Sequence, residues 1–384
     1  MLRRTLESIL NTLTLNNEQR RDLQYHIEHS ADHIPFHYKL EDYLYYIQLS
    51  NHDYKYANEY FEKLYGDSDS TNKCNIGGCS AGKFGQLFIR NYDWNYSNDI
   101  EFILHTPKGK NNYASIGVAT NIGVTDEMVA ENNFNNKLEI LSFFTTCGIN
   151  EHGVSVSINV VPKDKGNTNQ HTGRQRMSAL MIPRYVLDYA TSAAQITNVL
   201  ISRFDFYCTP NYEFHFIIAD KDEVRVIEFI NNRTVDVTNI RPFITNFHIH
   251  NTNTIGESID YDSIEPFGQG IERYEDMRYF MSHNEPTLEN AARLLQNLKY
   301  TNAYTNRRWL TEFAGLHNLT VQDAKYHPEL YNGALENAYK AYITRTRDGK
   351  TWQTMHSTCY DLINKKMYIG VQEQPLRYCF ECEH

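Results

Sequence analysis

From Gly66 to Gly82 the chain reads Gly-Asp-Ser-Asp-Ser-Thr-Asn-Lys-Cys-Asn-Ile-Gly-Gly-Cys-Ser-Ala-Gly, mostly small and polar and without apolar periodicity. A tract of this kind belongs at the surface as a linker, and exposed linkers are where chains are cut. It separates two patterns. Before it, residues 1–66 read as helical: Leu6, Ile9, Leu10 and Leu13 share a face, and Tyr43 to Leu64 carries Tyr, Leu and Phe at helical spacing. After it strands dominate. Val154-Ser155-Val156-Ser157-Ile158-Asn159-Val160 alternates strictly, as a strand with one apolar face does. Gln86 to Asn91 and Ile140 to Thr146 read as further strands. Phe214 to Asp220 and Val224 to Phe229 read as a hairpin, as do Met355 to Asp361 and Met367 to Val371. Helices are predicted over Ser178–Tyr189, Ala193–Phe204 and Thr287–Leu298, the last with Pro286 ahead of its start. This order predicts an α+β domain with mainly antiparallel sheets over residues 79–384, preceded by a helical segment, residues 1–78.

The net charge of −10, with no basic cluster to offset it, argues against nucleic acid and against anionic lipid as partners. No stretch approaches the roughly 20 apolar residues that span a bilayer. Met1-Leu2-Arg3-Arg4 is not followed by the apolar run of a secretory signal. The 7 cysteines are an odd number dispersed along the chain, which fits reduced thiols in a cytoplasmic protein. Cys379-Phe380-Glu381-Cys382 with His384 has the outline of a metal clamp, but one C-x-x-C lacks a second pair, so a frayed tail is the reading preferred and no metal is expected. There is no phosphate-binding glycine motif and no H-E-x-x-H among the 16 histidines, so no cofactor is expected.

Chemistry enters at Gly77-Gly78-Cys79-Ser80, with Arg90-Asn91-Tyr92-Asp93-Trp94 on the next strand. The glycine pair leaves the backbone at Cys79 accessible. A thiol attacks an amide as its thiolate, and a free cysteine titrates at about 8.5. If Cys79 became a chain terminus, its own amino group, with a pKa of about 7.7–8.0, would accept the thiol proton. Arg90 would stabilise the sulfur anion and Asp93 would orient the amine. The tetrahedral intermediate needs fixed donors, for which asparagines on rigid turns are suited.

These residues resemble the start of the mature choloylglycine hydrolase / penicillin V acylase family. Its members are N-terminal nucleophile (Ntn) cysteine hydrolases that begin Cys-Thr or Cys-Ser and carry Arg-Asn-x-Asp-aromatic on the second strand. Asn150-Glu151-His152-Gly153 is similar to the family's Asn-Glu-x-Gly turn, and Ile244-Thr245-Asn246 to its Leu-Thr-Asn. Glu272-Arg273-Tyr274 resembles a later motif that puts an arginine in the site. The resemblance spans about residues 79–372. It implies an αββα four-layer sandwich of two antiparallel sheets, with Cys79 as nucleophile, Asn150 and Asn246 at the oxyanion and Arg273 in support. The long leader resembles the isopenicillin N acyltransferase and acid ceramidase branches, whose precursors cut themselves in two. Cleavage at Gly78–Cys79 is therefore expected, with residues 1–78 as prosegment or retained light chain.

Other readings of the same residues stay open at this point. Arg90 and Asp93 also fit a surface ion pair, Asn150 and Asn246 ordinary turns, and Arg273 a solvated helix position. The leading function is a self-processing amidohydrolase acting on a small-molecule N-acyl amide through a thioester. The alternatives are an acyltransferase passing the acyl group to an amine and a catalytically silent binding protein with its leader attached. A homo-oligomer is compatible with each.

Overall fold

In a computed structural model the fold is described for residues 37–41, 44–49, 52–65, 80–95, 101–120, 140–161, 172–208, 213–230, 233–237, 242–249, 269–299, 352–371 and 376–382. The strands are β1 (His37–Glu41), β2 (Leu44–Gln48), β3 (Ser80–Phe84), β4 (Leu87–Asn95), β5 (Glu101–Thr106), β6 (Ser115–Ala119), β7 (Thr145–Asn150), β8 (Ser155–Val161), β9 (Gln175–Ser178), β10 (Phe204–Tyr207), β11 (Glu213–Ala219), β12 (Val224–Ile230), β13 (Arg233–Asp236), β14 (Phe243–Ile244), β15 (Trp352–Asp361), β16 (Lys366–Val371) and β17 (Tyr378–Glu381). The helices are α1 (Tyr54–Tyr65), α2 (Ile182–Tyr189), α3 (Ala193–Arg203), α4 (Gln269–His283) and α5 (Leu288–Asn297).

Two sheets hold the site. One has the order β1-β2-β5-β6-β7-β8-β11-β12-β13 and the other β14-β3-β4-β15-β16-β17, while β9 and β10 form a small parallel pair. Side-chain alternation decides what each face meets. Val154, just ahead of β8, and Val156, Ile158 and Val160 on it pack with Ala57 and Phe61 of α1 and with Val186, Leu187, Ile196 and Leu200 of α2 and α3. On the opposite face of that sheet, Ile103, Ile116, Val118, Cys147 and Ile149 pack with Phe88, Tyr92, Tyr360 and Ile369 of the second sheet. Beyond the second sheet lie Tyr274 and Met277 of α4 and Ala291, Leu294 and Leu295 of α5. Helices, sheet, sheet, helices is the αββα sandwich.

Local chemistry explains the element ends. β3 and β4 are joined by Gly85 and Gln86, with Gly85 at φ +59°, a two-residue hairpin turn of the kind glycine permits. The Ser192 hydroxyl caps α3 by accepting from Gln195 N at 3.2 Å, and the Thr287 hydroxyl caps α5 by accepting from Asn290 N at 3.2 Å. Pro183 sits in the first turn of α2, where its missing N–H costs nothing.

Several expectations are corrected. The leader is not helical throughout: residues 37–41 and 44–48 are strands, and β2 pairs in parallel with β5. The first sheet is therefore mixed, not wholly antiparallel. Its parallel neighbour selects the extended form over the helix that the spacing of Leu44, Tyr46 and Ile47 also allows. Residues 1–36, where the rest of the predicted helix falls, lie outside the described residues. The run Ile140–Thr146 is strand only from Thr145, because Ser142–Phe144 form a 3-10 turn. Of the predicted linker, residues 66–79 lie outside the described residues, and Ser80 to Gly82 belong to β3. The tail is not frayed: β17 pairs with β16, and the buried Cys382 thiol donates to Ala114 O at 3.2 Å.

Candidate active site

Arg90 is fully buried and projects from β4 into the space between the sheets. Its Nη1 donates to Thr146 Oγ1 at 3.0 Å and to Cys147 Sγ at 3.3 Å, and its Nη2 donates to Ile158 O at 3.1 Å. The Tyr92 ring lies 4.9 Å from the guanidinium carbon. Arg90 is thus a buried cation and not half of a surface pair.

Asp93 takes the other face of β4. Thr354 Oγ1 donates to its Oδ1 at 2.5 Å, and Arg273 Nη2 pairs with its Oδ2 at 2.6 Å. Asn91, on that same face, donates to Leu295 O of α5 at 2.9 Å. The structure therefore brings Asp93 and Arg273 together and does not bring Arg90 to Asp93. Arg273 is a buried helix residue, not a solvated one.

The two predicted asparagines also part company. Asn150 ends β7 on the face turned to α2. Its Nδ2 donates to Leu187 O at 3.2 Å and to Ala190 O at 2.8 Å, and its Oδ1 accepts from His152 N at 3.0 Å and Val154 N at 3.1 Å. Both amide hydrogens are committed, so none is left for an oxyanion, and the Asn-Glu-His-Gly turn is architecture. Gly153 completes it at φ +77°, and a Cβ there would stand 2.3 Å from Leu362 O in the turn after β15. Asn246 follows β14, and its Nδ2 donates to Val160 O at 2.9 Å.

Sequence reasoning passed over Asn159. It lies on β8 between Ile158, whose carbonyl takes Arg90, and Val160, whose carbonyl takes Asn246. Fully buried, it faces the second sheet, and its Nδ2 reaches Thr245 O at the long distance of 3.5 Å. Opposite it in register is His215, whose Nδ1 meets Glu228 Oε1 at 3.0 Å and whose Nε2 meets Thr245 O at 2.6 Å. The signal was available: the alternation that makes one face of β8 apolar puts Ser155, Ser157 and Asn159 on the other, and a buried polar face needs a purpose.

Beneath Arg90 lies a second titratable group. Cys147 Sγ also accepts from Tyr360 Oη at 3.0 Å. Burial pushes the thiol up, but the Arg90 guanidinium, then His356 and Tyr360, overcome this and bring it down to about 6. For His356, burial works downward, and the charge and hydrogen bond of Glu101, with the Cys147 sulfur, raise it to about 9. Glu101 engages His356 Nδ1 directly.

Cys79 and Gly78 lie outside the described residues; Ser80, which follows Cys79, opens β3 opposite Asn91, and Ala81 stands opposite Arg90 on one side and Ile244 on the other. A profile of the acyl-coenzyme A:6-aminopenicillanic acid acyl-transferase family matches residues 143–337, just over half of the chain. The chain belongs to this family. It is thereby an Ntn hydrolase of the choloylglycine hydrolase–penicillin acylase group, an enzyme of hydrolytic or acyl-transfer chemistry at the carbon–nitrogen bonds of linear, non-peptide amides.

Among solved structures, penicillin V acylase from Agrobacterium tumefaciens is similar at 14% identity and a TM-score of 0.43, over 77% of this chain and 84% of that one. A mutant of the conjugated bile acid hydrolase from Clostridium perfringens is similar at 14% identity and 0.44, over 77% and 89%. A second variant of that hydrolase gives 15% and 0.39, over 77% and 89%. A search of curated proteins returns no match. Among the described residues of this acyl-transferase family member, no cluster of His, Cys, Asp or Glu is arranged to hold a metal ion. No helix among them is long and apolar enough to cross a membrane.

Proposed function

We propose that the chain is a self-processing cysteine amidase, cut at Gly78–Cys79, whose new terminus at Cys79 attacks an N-acyl amide. The observation that carries this reading is convergence: β3, which begins one residue after Cys79, lies between the strand of Arg90 and the strand leading to Asn246, with Asn159 across the inter-sheet space. In the cut precursor the Cys79 amine takes the thiol proton, the thiolate attacks the carbonyl carbon, and the amine product leaves with that proton. Water then releases the acyl group from the thioester. Asn246 and Asn159 serve as the oxyanion donors, in place of Asn150. Arg90 holds the sulfur anion, while Asp93, fixed by Arg273, orients the terminal amine.

The leader stays as a light chain in this reading. β2 supplies a strand to the first sheet, and α1 sets Phe61 and Ala57 into its outer core. Tyr54 Oη donates to Asp188 Oδ2 at 2.7 Å, tying α1 to α2.

A second reading is acyl transfer, in which an amine captures the thioester in place of water; the description of the matched family favours it. Mass spectrometry of purified full-length protein should find two co-purifying chains, the heavier beginning at Cys79. Phenoxymethylpenicillin and a glycine-conjugated bile acid, each with and without a competing amine, then separate hydrolysis from transfer. An uncut, active chain would sink the proposal.

A further inference from the structure

Arg90 is buried, yet among the described residues it makes no ion pair with a carboxylate; its partners are a hydroxyl, a carbonyl and the Cys147 sulfur. A buried guanidinium without an anion bears an uncompensated loss of hydration. The sulfur is placed to be that anion. It accepts from Arg90 Nη1 at 3.3 Å and Tyr360 Oη at 3.0 Å, and the hydroxyls of Thr146 and Thr358 stand at 3.9 Å. Thr146 Oγ1 spends its own hydrogen on Val118 O at 3.1 Å. On the same face of β15 as Thr358 and Tyr360, His356 stacks on Tyr92 with ring centres 5.0 Å apart and 15° between planes. One nitrogen of its ring meets Glu101, while Nε2 is buried without a hydrogen bond to oxygen or nitrogen, with the Cys147 sulfur as its electrostatic partner. Glu101 and His356 are themselves almost wholly enclosed, at 2% and 1% exposure.

We propose that Cys147 and His356 form a buried thiolate–imidazolium pair, oriented by Glu101, and that this pair is the positioning device that fixes the Arg90 guanidinium. Arg90, Cys147, His356 and Glu101 then form a row of alternating sign with no net charge. A neutral thiol and a charged imidazole would leave the same row with an unmatched cation in the interior. Complete burial makes Cys147 unsuited to meet substrate, so it acts through Arg90. That role rests on the proposed function, in which Arg90 faces the nucleophile.

The test uses full-length protein. The ultraviolet thiolate absorbance of the folded wild type at neutral pH should exceed that of Cys147→Ser by one thiolate, and Glu101→Gln, which keeps the sulfur in place, should reduce it. Cys147→Ser should slow self-cleavage at Gly78–Cys79 by about tenfold or more, the scale at which misplaced catalytic groups lose rate, and Cys147→Asp, which restores the anion, should recover it. Absence of the thiolate difference, or Cys147→Ser cutting at the wild-type rate, overturns the proposal. A Cys79→Ala control distinguishes the two failures. If it blocks cleavage while Cys147→Ser does not slow it, the nucleophile stands and the positioning role falls. If Cys79→Ala still cuts, the nucleophile falls and takes the positioning role with it, whatever the absorbance shows.

Discussion

Asn150 and Asn159 stand on opposite faces of one sheet, and the same truncation should affect them in opposite ways. Asn150→Ala removes four hydrogen bonds inside a buried turn and should lower unfolding free energy by about 3 kcal/mol, read from urea midpoints, without entering the chemistry. Asn159→Ala, which loses only two long hydrogen bonds, should lower the midpoint less and, in the proposed mechanism, cut turnover by about 10²–10³-fold, the value of one oxyanion donor. Arg273→Ala strands the Asp93 carboxylate and should cost about 3–5 kcal/mol, whereas the double variant with Asp93→Asn should cost less than the two singles summed. For pH, the two members of the inter-sheet pair oppose each other. The Cys147 thiol is depressed from 9.0 to about 6, so its contribution is full above pH 9.0 and is lost as pH falls through about 6. His356 is raised from 6.5 to about 9, so its contribution is full below pH 6.5 and is lost as pH rises through about 9. Across the shared window the two slopes cancel. Cys147→Ser removes the first and keeps Glu101 beside His356, so thermal midpoints of that variant should decline with rising pH while the wild type stays level.

At the scale of elements, the docking of α1 is what decides whether the leader can leave. Phe61 is fully buried against Phe144, ring centres 5.2 Å apart. Phe61→Ala should destabilise by about 3–5 kcal/mol, and gel filtration of the cut protein should then show the two chains separating. Which elements were legible follows from how each is buried. β8 declared itself because its two faces differ, valine and isoleucine toward the helices and Ser155, Ser157 and Asn159 toward the second sheet. The hairpin of β11 and β12 and the helix α5 announced themselves by turn and cap residues. β5 and β6 did not: Glu101-Phe102-Ile103-Leu104-His105-Thr106 is buried on both faces, so its alternation vanishes. β2 read as helix because five residues cannot separate the two periods, and only its partner β5, far along the chain, does so. The placement of the candidate residues was only partly legible for a related reason. Motif spacing singled out Arg90, Asp93, Asn150, Asn246 and Arg273, but only the sheet shows that Asn150 faces α2 and that Arg90 and Asp93 point apart.

For the molecule as a whole, a heavy piece expressed alone from Cys79 should expose β5 as an unpaired edge and bare the apolar surface that α1 covers. It is expected to be insoluble, and co-expression with residues 1–78 should rescue it, as sedimentation of lysates would show. Because β2 threads between β1 and β5, scission also changes the order of the refolding reaction. An uncut chain regains its sheet in a unimolecular search. Its nicked counterpart must wait for a collision between two molecules, so its recovery after denaturation should scale with dilution, and a sample once boiled thin should stay dead.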